Sequence, residues 1–203
     1  MRIFKLANIS FLLMLASAQS VSAGGEWKEE PNSFRGVEFN KPLTEQFHEC
    51  PKDRRGNYEF LPKEQCFETD WKPNPYANGA VIAQVFNLRD IGIGDNSTNV
   101  HLIDGKVVQV HVNFAEYHFE QLYGALKERF GTPSEEMQMQ LQNGLGTRFT
   151  GVGASWTGKT VNMTILQYAG TVDRSDFRVS TLAYLALGKA DRQQEQNAIK
   201  NNL

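Results

Sequence analysis

Only two cysteines, Cys50 and Cys66, occur in 203 residues. That scarcity excludes a cysteine-rich metal scaffold, and their spacing excludes a Cys-x-x-Cys redox pair. No apolar run reaches the roughly 18 residues that a membrane-spanning helix needs. Charge of one sign is missing too, with 21 Lys+Arg against 23 Asp+Glu. The basic residues form no stripe and the aromatics are dispersed, which argues against a nucleic-acid partner. There is no Gly-x-Ser-x-Gly elbow and no His-Glu-x-x-His pair. The four histidines, His48, His101, His111 and His118, lack metal-ligand spacing. Gly92-x-Gly94 lacks the third glycine of a dinucleotide fingerprint, and Asp95-Asn96 lacks the ligand spacing of an EF-hand loop. The sequence therefore calls for no cofactor and no metal, and it assembles no catalytic set. Pairs such as Asp173/Asp176 and Glu135/Glu136 read as carboxylates of solvated loops.

What is present begins with an export signal. Arg2 and Lys5 form a basic start, Leu6–Ala18 is mostly apolar, and Val21-Ser22-Ala23 fits a cleavage site. No cysteine follows the apolar run, so a lipid anchor is not expected. Without residues 1–23, which carry Arg2 and Lys5 and no acid, the net charge goes from −2 to −4. An exported chain meets an oxidising compartment, so Cys50 and Cys66 are expected to pair. Closing so short a loop contributes about 3 kcal/mol by chain entropy. The expected location is periplasmic or secreted, with no membrane span after cleavage.

Four stretches organise the chain: 1–23 as signal peptide, 24–79 as a disulfide-containing N-terminal cap, 80–187 as an α+β core, and 188–203 as a polar tail. In the cap, Phe34–Phe39 reads as a short strand, Pro42–Phe47 as one or two helical turns, and Tyr58–Trp71 as a ragged hairpin. Pro73, Pro75, Asn78 and Gly79 mark a loop that bounds it. Val81–Phe86 reads as a strand. Val108, Val110, Val112 and Phe114 alternate with polar residues, the period of a half-buried strand. A three-residue loop, Ile103-Asp104-Gly105, matches its faces to Val100 and Leu102 and pairs Val100 with Val108. His101 and His111 fall on the polar side of that hairpin and read as surface residues. Phe119, Leu122, Tyr123, Leu126 and Phe130 recur at helical spacing. Asn113 with Glu116 is the expected capping box, and Gly131 with Pro133 ends the helix. Residues 134–146 read as loop or weak helix. Three strands follow at Arg148–Trp156, Val161–Tyr168 and Phe177–Leu187. The class is α+β, a strand-strand-helix-strand-strand-strand core with one main helix on an antiparallel sheet.

Gly153-Ala154-Ser155-Trp156-Thr157-Gly158-Lys159-Thr160 matches the phosphate-loop pattern letter for letter. A phosphate loop needs a parallel strand before it and a helix after it. Val161-Asn162-Met163-Thr164-Ile165 alternates and reads as strand instead. The expectation is a hairpin turning at Gly158-Lys159.

Several phrases together resemble small uncharacterised proteobacterial periplasmic proteins. They are Phe34-x-Gly36 leading to Pro42-Leu43 and Cys50-Pro51, Leu102-Ile103-Asp104-Gly105-Lys106, Arg129-Phe130-Gly131-x-Pro133 and Ala154-x-Trp156. The resemblance implies no activity. The helix-on-sheet order is similar to envelope modules of the β-lactamase-inhibitor-protein or outer-membrane-assembly lipoprotein type, at fold level only. The functional expectation is a non-catalytic protein-binding or envelope-accessory module. Its candidate partner surface comprises Trp71, Tyr76, Thr150, Asn162 and Thr164. The alternatives are an inhibitor or immunity protein against a cell-wall hydrolase or toxin, and an enzyme whose site assembles only in space.

Overall fold

The computed structural model describes residues 27, 29–58, 62–94, 97–142 and 146–201. The expected export signal and its cleavage site lie outside the described residues. The class is α+β, mostly sheet. A small hairpin, β1 (Ser33–Phe34) and β2 (Val37–Glu38), precedes a single helical turn, α1 (Leu43–Gln46). The remaining strands are β3 (His48–Glu49), β4 (Cys66–Glu68), β5 (Val81–Phe86), β6 (Ser97–Ile103), β7 (Lys106–Ala115), β8 (Glu135–Gln142), β9 (Arg148–Thr157), β10 (Val161–Leu166) and β11 (Arg174–Thr181). They form one sheet in the order β3-β4-β5-β6-β7-β11-β10-β9-β8. Every pairing is antiparallel except β3 with β4. Helix α2 (Phe119–Phe130) follows β7, and helix α3 (Leu182–Asn201) follows β11.

One face of the sheet is apolar. Reading across the strands, Ala83, Val100, Val110, Val179, Met163 and Trp156 stand opposite one another. All six are 0% exposed. Alternation along each strand sends these side chains to a common side, where α2 covers them. The helix lays Phe119, Leu122, Tyr123, Leu126 and Phe130 onto that face. Those five are the residues of the sequence stripe. Gly131 caps the helix with a positive φ, and its carbonyl accepts the Trp156 indole N–H at 2.9 Å. The N-terminal hairpin closes the same core, with the Phe34 ring 4.8 Å from that of Phe177. Cys50 and Cys66 form the disulfide, which ties the chain ahead of β4 to β4 itself.

Several expectations need correction. Residues 134–146 contain β8, the edge strand, in place of a loop. Met137, Met139 and Leu141 alternate with glutamines there, but Glu, Gln and Met are helix formers and mask the period. The β6–β7 connection is a two-residue turn, Asp104-Gly105, with both φ angles positive. Leu102 faces Val107, and an irregularity then shifts the register so that His101 faces Gln109 and Val100 faces Val110. A bulge at Val108 thus matches the faces that the three-residue loop was expected to match. Asn113 lies within β7 and caps nothing. A 3-10 turn at Glu116–His118 leads into α2. The last strand ends at Thr181, so Leu182–Leu187 belongs to α3, a second and longer helix. The expected Tyr58–Trp71 hairpin is replaced by β4, which pairs with β3 and β5, and by a bridge between Lys52 and Tyr58. The two cap strands β3 and β4 thereby extend the core sheet.

Candidate binding face

The other face of the sheet carries a polar row across eight strands, and at its β8–β10 end it also holds Met137, Met139, Leu141 and Leu166. Glu68, Gln84, Asn99, His111, Arg178, Thr164, Ser155 and Glu135 stand opposite one another on eight successive strands. At roughly 4.8 Å per strand the row is about 33 Å long. None of the eight is buried, and Arg178 and Glu135 are exposed. The adjacent row runs Ile82, His101, Gln109, Ser180, Asn162 and Thr157. The sequence folds this way because the polar and apolar sets alternate in the central strands, unlike β8, where Met137, Met139 and Leu141 share the side of Glu135. In β11, for example, Asp176, Arg178 and Ser180 face one way, and Phe177 and Val179 the other.

A charged cluster lies at the centre. Asp176 is 2% exposed. Its Oδ2 accepts from His111 Nε2 at 2.5 Å and from Arg178 Nη2 at 3.0 Å, while Arg178 Nε stands 2.8 Å from Oδ1 as an ion-pair contact without hydrogen-bond geometry. A carboxylate only accepts, so Nε2 carries a proton. Burial alone would raise the Asp176 pKa. The hydrogen bond and charge of His111, then those of Arg178, outweigh it and hold the group below the ordinary aspartate value. The ion pair is therefore preserved, and the exposed Arg178 adds donors to the face.

Beside it, His101 is 8% exposed and lies under Tyr184 of α3. Tyr184 donates its hydroxyl proton to the Ala77 carbonyl at 2.9 Å. The His101 Nδ1 contact at 2.9 Å must then run from Nδ1–H to the Tyr184 oxygen. Burial, then the neighbouring His111, then Arg178 push the His101 pKa down to about 4. Tyr184 also packs with Ala77, Ala80 and Val108, so the first turns of α3 cover one end of the polar face. Ser180 donates to Gln109 at 2.8 Å in the same buried network.

The residues expected to form the partner surface are divided. Asn162 and Thr164 stand on the polar face. Tyr76 is 98% exposed, in a 3-10 turn whose loop flanks Ile82 on that same face. Thr150 alternates with the positions of Ala154 and Trp156, so it belongs to the opposite face, where it accepts from Gln140. Trp71 sets its ring against Phe67, a residue of the apolar core. The sequence reading missed the central cluster. It placed His101 on the surface and Asp176 in a loop, because it began the last strand at Phe177. Starting that strand two residues earlier would have put Asp176, Arg178 and Ser180 on one face. Among the described residues there is no cluster of three or more His, Cys, Asp or Glu side chains arranged to hold a metal, and no helix is long and apolar enough to cross a membrane.

No protein-family model, curated protein or solved structure matches the chain.

Proposed function

We propose that the chain is a non-catalytic binding module of the bacterial envelope, exported to the periplasm, and that it holds a partner protein against the polar face of its sheet. The observation that carries this is the row from Glu68 to Glu135. A solvated sheet face needs only polar side chains; this one also holds a buried carboxylate, Asp176, that fixes His111 and Arg178 in place. Ordering those side chains in advance lowers the entropy lost when a partner binds. Amides, hydroxyls and a guanidinium suit the hydrogen-bonded, wet type of interface. The Cys50–Cys66 bond supports an oxidising compartment.

The test is a pull-down from periplasmic extract with the wild type and with Thr164→Arg, which adds bulk and charge at the centre of the row. The wild type is expected to recover a stoichiometric partner that the folded variant loses. Equal recovery by both proteins, or none by the wild type, rejects the proposal.

A further inference from the structure

The β9–β10 turn, whose letters match a phosphate loop, receives an anion from within the chain. Three successive backbone N–H groups point at the Glu30 carboxylate: Lys159 to Oε2 at 3.0 Å, Thr160 to Oε1 at 2.6 Å and Val161 to Oε1 at 2.8 Å. The Thr160 hydroxyl adds a fourth donor at 2.8 Å. Consecutive N–H groups aimed at one point form a concave site of positive potential. A second observation is steric. A Cβ at Gly158 would sit 2.6 Å from Glu30 Cδ, so the glycine leaves the space into which the carboxylate fits. Close approach of an anion to bare backbone is also what glycine provides in true phosphate loops. Here the flanking elements are two antiparallel strands, and all four donors belong to the turn itself and not to a helix N-terminus. Burial would raise the Glu30 pKa. The N–H bonds from Thr160 and Val161, the Thr160 hydroxyl and the Lys159 N–H together outweigh it, so the carboxyl titrates below the ordinary glutamate range and stays ionised near neutrality.

We infer that the Gly158–Val161 turn is an anion-binding site for a carboxylate, or an oxyanion presenting the same two-oxygen edge, and that Glu30 is its resident and displaceable occupant. Glu30 fastens the start of the described chain to the end of the sheet, close to where Trp27 sets its ring against Phe130. An incoming carboxylate of a partner competes for the same four donors and unfastens that segment. The site lies on the turn that joins Thr157 to Asn162 and uses no side chain of the polar row, so it does not depend on the binding-face proposal.

The experiment is a titration of Glu30→Ala with acetate, phosphate and sulfate at constant ionic strength, with chloride as control, read from the backbone amide resonances. Saturable shifts confined to Gly158–Val161 are expected in the variant. The wild type is expected to respond at least about tenfold more weakly, because its own carboxylate competes at high effective concentration. Glu30→Gln, which keeps the size of the side chain and loses its charge, serves if the alanine variant does not fold. Gly158→Ala is expected to lower the melting midpoint of the wild type more than that of Glu30→Ala, since the three atoms nearest the added methyl group all belong to Glu30. A folded variant without localised shifts in any oxyanion overturns the inference. So does a wild type that responds as strongly as the variant, or an equal effect of Gly158→Ala in both backgrounds.

Discussion

Two rows of side chains cross the same strands one residue apart, and they obey different physics. Ala83, Val100, Val110, Val179, Met163 and Trp156 are fully buried beneath α2. Gln84, Asn99, His111, Arg178, Thr164 and Ser155, their neighbours along the same six strands, stay in contact with solvent. Val100, Val110, Val179 and Met163 each contribute on the order of 1.5–3 kcal/mol by leaving water, and the single methyl of Ala83 contributes less. The polar row gains little from burial, because every group on it needs a partner once water is removed. The lesson is a division of labour: one face supplies the stability, which leaves the other free to carry a polar row.

That contrast can be broken at several points. Trp156→Ala removes the largest fully buried side chain and orphans the Gly131 carbonyl. It is expected to cost about 3–5 kcal/mol in a urea unfolding experiment, the range for an aromatic deleted from a core.

Acid probes the polar side. His101 titrates at about 4 in the folded chain, against 6.5 when unfolded. The unfolded chain therefore binds the proton first. Stability is complete above pH 6.5 and falls as the pH drops toward 4, by at most roughly 3 kcal/mol. Below about pH 3.8, protonation of Asp176, whose folded pKa is depressed, adds a further loss. Urea midpoints across this range are expected to show the decline in the wild type, and His101→Gln is expected to flatten it between pH 6.5 and 4. An unchanged slope in that variant would move the acid sensitivity to another group.

Tyr184→Phe keeps the ring over Ala77, Ala80 and Val108 and removes only the hydroxyl. The Ala77 carbonyl and His101 Nδ1–H are then left without their partner. The expected cost is about 1–3 kcal/mol, the penalty for unsatisfied buried polar groups. Calorimetry measures it, and a loss near zero would show that water replaces the hydroxyl.

The smallest effect sharpens the comparison most. Thr164→Ala, in the middle of the polar row, is expected to change stability by no more than about 0.5 kcal/mol. A loss comparable to that of a core residue would mean that the polar row also holds the fold together.

Local rules made much of the framework legible. The helical stripe from Phe119 to Phe130 named all five residues that α2 buries, because a three-and-four spacing has one structural solution. Val81–Phe86 was bounded correctly between a Pro/Asn/Gly loop and polar residues, and the Cys50–Cys66 pairing followed from compartment and number. Alternation after Thr160 was enough to turn the phosphate-loop letters into a hairpin. β8 stayed hidden because its alternation is written in residues that also favour helices. The strand before α3 was drawn too long, since Leu182–Leu187 is apolar enough for either structure and only the packing of Tyr184 on the sheet decides between them.

The candidate face itself was half legible. Asn162 and Thr164 stand out as polar positions of an alternating strand. That they line up with Arg178 and His111 depends on β10 pairing β11 and β11 pairing β7, and each register is set by contacts between distant parts of the chain. Thr150 shares the parity of Ala154 and Trp156 within its own strand, so its place on the apolar side is legible locally.

The amino-acid order alone determined which segments alternate with period two, which one repeats at helical spacing, and where turns interrupt them. Those properties depend on neighbours a few residues apart. The tertiary structure alone decided which polar rows meet, that His101 is buried while His111 remains within reach of solvent, and that a glutamate near the start of the chain fills a turn 130 residues later. Such outcomes rest on strand register and long-range packing, where many pairings are compatible with the same local pattern and only their combined burial selects one.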